Sequence, residues 1–247
     1  MNNAPRIIAL ETSGRLGSVA VAQGPQLLHE QPFSARLRHA GELLPTMADL
    51  VQRAGWTPAD LDQLYLSIGP GSFTGLRIAV AVAKTLSLAV PSLRVVAVPS
   101  LDVRAMQAHR AHRPDLQNLA VAIDAKKRQV YAALYKSASD DGRAFVPGLS
   151  RLTEPAVLPP SELLAAAPRP LYVIGAGLEP YSDVFRGDDI LLLEDEFSQP
   201  CAADVHRCGW RHALAGKFAQ PESLEPCYLR RPEAVERWET LHPEDRS

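Results

Sequence analysis

The sequence predicts an α/β fold in two related lobes with mixed sheets, and three observations carry that prediction. Each half opens on two short strands joined by a polar turn, Ile7–Leu10 with Ser18–Ala22 and Leu119–Ile123 with Val130–Tyr135. Each half later runs a strand into glycines: Leu64–Ile68 meets Gly69-Pro70-Gly71-Ser72-Phe73-Thr74-Gly75, and Leu171–Ile174 meets Gly175-Ala176-Gly177. Helical periodicity lies between the strands, the alternation that stacks helices on sheets. A chain of 247 residues supports one large domain or two modest lobes with roughly 70–75% of its surface buried.

The elements follow in order. Leu27–Phe33 adds a third strand beyond Gly24-Pro25, so the first three strands form an antiparallel meander. A helix lies within His39–Ala54, where Leu43, Met47, Leu50 and Ala54 recur at helical spacing; Pro45 suits its first turn and would break its interior. Thr57-Pro58-Ala59-Asp60 reads as a helix start. The glycine loop feeds a helix over Leu76–Ala89, Val95–Val98 is a strand, and Pro99-Ser100 opens a helix to about Ala111. Arg110–Asp115, charged and holding Pro114, marks the lobe boundary. The lobes therefore span 1–113 and 114–232, with a frayed tail over 233–247. In the second lobe a short helix is expected at Glu162–Ala166, a strand at Ile190–Leu193, a helix over Ala203–Phe218 that packs back on the first lobe, and an extended piece at Leu224–Leu229.

Composition excludes several classes. The net charge of −2 argues against a broadly basic nucleic-acid platform. Three widely spaced cysteines, Cys201, Cys208 and Cys227, do not form a disulfide framework and fit a reducing compartment. The apolar run Ile7–Leu10, cut off by Glu11, is no signal peptide, and no apolar stretch approaches membrane-spanning length. A cytoplasmic protein is expected.

Gly69, Gly71 and Gly75 let the backbone turn sharply and approach a ligand or another segment, with Ser72 or Thr74 capping the helix that follows. An anion site and a ligand-free tight connection both fit. The loop lacks the spacing of a P-loop or a dinucleotide fingerprint. The following helix is apolar on two sides, with Leu76, Ala79, Val80 and Ala83 on one and Ile78, Val82, Leu86 and Ala89 on the other. One side covers a sheet; the second needs cover from this chain or from a partner.

Catalytic candidates are sparse. His109 and His112 stand i,i+3 at a helix end and could bind a metal, but Arg110 and Arg113 make their neighbourhood positive; His206 and His212 are poorly spaced, the Cys208 and His212 pair lacks further ligands, and no Gly-x-Ser-x-Gly elbow occurs. Glu11 and Asp124 end strands and could flank a cleft, but Lys126, Lys127 and Arg128 follow Asp124 and would neutralise it. No metal site is expected.

The segments I-I-A-L-E-T-S at 7–13, H-A-G-E-L-L-P at 39–45, I-G-P-G-S-F-T-G-L-R-I at 68–78, A-I-D-A at 122–125, I-G-A-G at 174–177 and E-P-C-Y-L-R at 225–230 together resemble the bacterial TsaB (YeaZ) family. The resemblance implies an actin-like ATPase (ASKHA) fold of two ribonuclease-H-like lobes. It implies a non-catalytic subunit that binds and activates TsaD, the threonylcarbamoyltransferase acting at adenosine 37 of tRNAs reading codons that begin with A. The metal-binding His-x-x-x-His pair of TsaD is broken, since Leu43 stands four residues after His39. Glu11 replaces the Asp usual at the first strand end. The implied partner interface is Leu43, Met47, Leu50, Arg77, Ile78, Ala79, Ala81, Val82, Thr85 and Leu86. Glu11, Gly175 and Gly177 would be a nucleotide-binding remnant. The implied partners are TsaD, the small ATPase TsaE, a second copy of the chain in isolation, and tRNA indirectly, with no membrane. No cofactor is expected, and weak ATP, ADP or Mg²⁺ binding would belong mainly to the partner subunits. A nucleotide-dependent kinase or hydrolase of the same fold is the alternative, and a peptidase is a remote third reading.

Overall fold

The computed structural model describes residues 4–34, 39–111, 116–139, 144–193 and 199–229. The lobe boundary at 112–115, His112 and the expected tail lie outside them.

The first sheet contains β1 (Arg6–Glu11), β2 (Ser18–Gln23), β3 (Gln26–Pro32), β4 (Gln63–Ser67) and β5 (Arg94–Val98) in the order β3-β2-β1-β4-β5. The meander β1–β2–β3 is antiparallel, while β4 runs parallel to β1 and β5 parallel to β4. Parallel neighbours need crossovers, and α1 (His39–Arg53) and α2 (Phe73–Ala89) supply them. Pro45 lies inside α1, and the helix continues through it. Its ring faces solvent, while the burial of Leu43, Met47, Leu50 and Val51 holds both flanking turns on the sheet. Thr57–Asp60 closes one 3-10 turn and starts no α-helix; the Asp60 carboxylate accepts from the Thr57 N–H and hydroxyl, both at 2.8 Å.

After α3 (Ser100–Arg110), β6 (Asn118–Asp124) and β7 (Val130–Ser137) open the second sheet as a hairpin. Its order is β11-β10-β6-β7-β8, with β9 also on β7. Here β8 is Leu149–Arg151, β9 is Ala156–Leu158, β10 is Leu171–Ala176 and β11 is Ile190–Leu192, with α4 (Pro160–Ala166) before β10. The strands β8 and β9 have three residues each, too short to show alternation in a stretch punctuated by proline.

Alternation along the strands sorts the core into layers. Ile8, Leu10, Val19, Val21, Leu64 and Leu66 pack under α1 and α2. Ile7, Ala9, Ala20, Ala22 and Tyr65 point the other way, into a cluster shared with Leu119, Val121 and Tyr135 of the second sheet. Two helices fill the space between the sheets, and each comes from the other half of the sequence. The helix α3 packs on β6, β7, β8 and β10, whereas α5 (Ala202–Leu214) packs on β1, β2, β4 and β5. A cut of the sequence at 113 therefore does not cut the core. Asp204 of α5 is fully buried, 2.8 Å from Arg207 and 3.2 Å from Arg110 of α3, which ties the two exchanged helices together.

Candidate partner interface and the inter-lobe cleft

The glycine loop is closed by this chain's own backbone. The Ser72 N–H donates to the Ser13 carbonyl at 2.8 Å, and a Cβ on Gly71 would lie 2.5 Å from that same oxygen. The Gly69 N–H donates to Ser100 Oγ at 3.0 Å, its carbonyl accepts from the Ser100 N–H at 2.9 Å, and Cys227 donates to the Ile68 carbonyl at 2.7 Å. These contacts account for Gly69 and Gly71, because only backbone without side chains approaches so closely. The helix starts three residues before the expected Leu76. Ser72, not Thr74, caps it, accepting from the Gly75 N–H at 3.3 Å. Ser72→Ala should cost about 1 kcal/mol by chemical denaturation, the usual worth of such a cap.

Glu11 ends β1 fully buried. Its Oε1 accepts from the Ser13 N–H at 2.5 Å and the Ser13 hydroxyl at 2.6 Å, while its Oε2 has no hydrogen-bond partner among the described residues. Burial pushes its pKa up, against the Ser13 hydrogen bonds and the charge of Arg104. Since the folded pKa lies above the unfolded one, ionisation opposes folding at neutral pH. Glu11→Gln should therefore raise stability by about 1 kcal/mol near pH 7, and the gain should vanish as pH falls below the model-peptide value of about 4.3. Thermal melts at the two pH values check this.

Asp124 ends β6 at the corresponding place in the second sheet. Burial raises its pKa, but hydrogen bonds from Lys126 and Tyr181 outweigh that and hold it below the usual range. Gly175 is seated against β6, where a Cβ would fall 1.5 Å from the Ala122 carbonyl oxygen, and Gly177 abuts Asp124. Glu11, Gly175 and Gly177 are thus each in close contact with this chain's own atoms. Among the described residues no three His, Cys, Asp or Glu side chains are grouped as a metal would need. His206 lies 2.9 Å from the Gly24 carbonyl, Cys208 is buried towards the Asp102 carbonyl, and His212 stacks on Phe145.

The paired helices α1 and α2 form one outer layer. Leu43, Met47 and Leu50 are 1%, 6% and 1% exposed, and Ala79 is 0% exposed. They belong to the core beneath the helices, so these four expected interface residues are corrected: the spacing that marks a contact stripe is here the stripe facing the sheet. Ile78, Val82 and Leu86 are half-buried along its margin, and Arg77, Ala81 and Thr85 are exposed. The outward side adds Leu44 and Leu88, 57% and 84% exposed, which are found by reading the helix face opposite the core stripe. The chain's last described segment borders α2. The Glu222 main-chain carbonyl accepts from Lys84 Nζ at 3.1 Å, and the Tyr228 hydroxyl accepts from Arg77 Nε at 3.0 Å. Arg77 also lies 3.9 Å over the half-exposed ring of Phe73, itself 5.4 Å from Tyr228. Phe73 and Tyr228 escaped the sequence reading, because only the fold brings them together across 155 positions of chain.

Two mixed sheets with exchanged inner helices and a partly apolar outer helix pair define a two-lobed α/β protein. A family model described as TsaD, tRNA N6-adenosine threonylcarbamoyltransferase, matches residues 30–164, more than half of the chain. The tRNA threonylcarbamoyladenosine biosynthesis protein TsaB of Escherichia coli is 27% identical over 225 residues, covering 91% of this chain and 94% of that one. Its namesake in Bacillus subtilis is 28% identical over 237 residues, covering 94% and 97%. The solved structure of YeaZ from Pseudomonas aeruginosa superposes with a TM-score of 0.74 at 27% identity, covering 91% of this chain and 99% of that one. A second Pseudomonas aeruginosa structure, described as similar to peptidase YEAZ, gives 0.76 at 29% identity, covering 92% and 100%. The chain belongs to the TsaB (YeaZ) family.

Proposed function

We propose that this chain acts in tRNA threonylcarbamoyladenosine biosynthesis as a non-catalytic scaffold, binding and activating a TsaD-like threonylcarbamoyltransferase through the outer side of α1 and α2. The observation that carries the reading is the exposure of Leu44 and Leu88 beside the half-buried row Ile78, Val82 and Leu86. Apolar surface of this kind on a helix pair suits a partner's helices, and a stable complex would bury about 1,200–2,000 Å² in total. The buried Glu11 and the self-closed glycine loop support the absence of chemistry in this subunit.

In the fuller form of the proposal, the fold is actin-like (ASKHA), with each lobe ribonuclease-H-like. The reaction served is modification of position 37 in tRNAs reading codons that begin with A. A TsaE-like ATPase joins the assembly in the cytoplasm, and any ATP, ADP or Mg²⁺ is held chiefly by the partners. Alone, the chain covers the same face by pairing with a second copy, the simplest closed use of one self-complementary patch.

Co-expression with the TsaD-like protein of the same cell tests the core of the reading. Co-elution on size exclusion, with threonylcarbamoyladenosine in nucleoside digests only when both chains are present, is the expected result. Full modification by the partner alone, with no complex formed, would sink it.

A further inference from the structure

The turn between β6 and β7 has a backbone that its connectivity does not require. Lys126, Lys127 and Arg128 take φ of 63°, 52° and 60° in succession. Left-handed backbone is unfavourable for residues carrying a Cβ, and glycine or asparagine would fill such a turn more easily. The surroundings hold it in place. Asp124 Oδ1 accepts from the Lys126 N–H at 2.9 Å and from the Tyr181 hydroxyl at 2.8 Å. Ala125 donates to the Gln129 carbonyl at 2.9 Å, and Gln129 to the Lys126 carbonyl at 3.1 Å. Strain kept by an over-determined frame points to a use for what the frame presents.

What it presents is positive charge. The Lys126 ammonium is 2.8 Å from Asp124 Oδ2 and largely neutralises it. Lys127 and Arg128 stand next to that pair, both exposed. The whole chain carries −2, so the two cations are a local feature against an acidic background. They belong to the second sheet, whereas α1 and α2 form the outer layer of the first.

We infer that the Lys126–Arg128 turn is a phosphate-contacting site for RNA, resting Lys127 and Arg128 against the backbone of the tRNA handled by the complex. This rests on the function proposed above. A cation pair fixed in space suits a polyanion with regularly spaced charges, since less side-chain and loop freedom is lost on contact. Contacts of this kind position an RNA without reading its sequence.

The test is fluorescence anisotropy of labelled unfractionated tRNA, titrated with the full chain alone and with its TsaD-like partner, over a series of salt concentrations. Lys127→Gly combined with Arg128→Gly removes both charges and suits the left-handed backbone, so melting should show a fold at least as stable. Binding is expected to weaken roughly 10- to 30-fold, and the slope of log affinity against log salt to shallow by about 1.5, as for two lost phosphate contacts. Lys127→Glu with Arg128→Glu should weaken it further. Parent and variants agreeing within twofold at every salt concentration, or a parent that does not bind tRNA, would overturn the inference. So would equal binding of polyglutamate, which would mark a site for acidic protein. Ala81→Arg separates the two readings: the isolated variant should keep its tRNA affinity even where the partner is lost.

Discussion

Ala81→Arg is expected to abolish co-elution with the TsaD-like partner, lowering affinity at least 100-fold, while the isolated chain melts within a degree or two of the parent. The asymmetry follows from position. Ala81 is exposed on α2, so a guanidinium there meets water and leaves the core untouched. In a complex the same group would lie between packed helices, where a small residue allows close approach and a charge without a partner is costly to bury. The contrast is Ala79→Arg, two residues earlier. Ala79 has no exposed surface, and that variant should fail to fold, which says nothing about partners. Size exclusion with both chains, beside circular dichroism of each variant alone, checks the pair. Normal complex formation by a folded Ala81→Arg chain would remove α2 from the interface.

Most of the fold was legible because it rests on strong local signals. The meander, the two strand-to-glycine junctions and the amphipathic helices each declare themselves within a dozen residues. The return of the last helix to the first lobe was expected, but the placement of α3 on the second sheet was not: α3 is buried along nearly its whole length, so no exposed face marks which sheet it covers. The extent of the interface was partly misread for a related reason. The resemblance pointed to whole helices and not to their faces, and Leu43, Met47 and Leu50 lie on the face of α1 that meets the chain's own sheet. The glycine loop was read with two outcomes open. The contacts that close it, Ser13, Ser100 and Cys227 against Ile68–Ser72, come from positions distant in sequence. Glu11 and Asp124 were both weighed at strand ends; the burial of Glu11 and the hydrogen bonds of Asp124 to Lys126 and Tyr181 depend on contacts that the local sequence does not display.

Burial of the two α5 histidines predicts a loss of stability in mild acid. His212 of α5 is held at a pKa of about 4, first by burial and then by the charges of Lys217 and Arg151. Its ring stacks on Phe145 at 4.3 Å, and its Nε2 has no hydrogen-bond partner among the described residues. His206, one and a half turns earlier, is also shifted down, chiefly by burial, and stacks near Tyr65. In the unfolded chain both titrate near 6.5. Between the folded and unfolded values the unfolded state binds more protons, so stability is full above about pH 6.5 and declines as pH falls through the folded value. For His212 alone the shift to about 4 corresponds to about 3 kcal/mol, of which about 2 is gone by pH 5. Glu11 and Asp102, both raised by burial, work in the opposite direction and temper the net slope. His212→Phe isolates the effect. It keeps an aromatic ring against Phe145 and removes the proton site, so its urea midpoint should change least between pH 7 and pH 5, while the parent loses the larger share. A parent whose midpoint is flat over that interval, or a Phe variant just as acid-sensitive, would show that His212 is not held neutral by the fold.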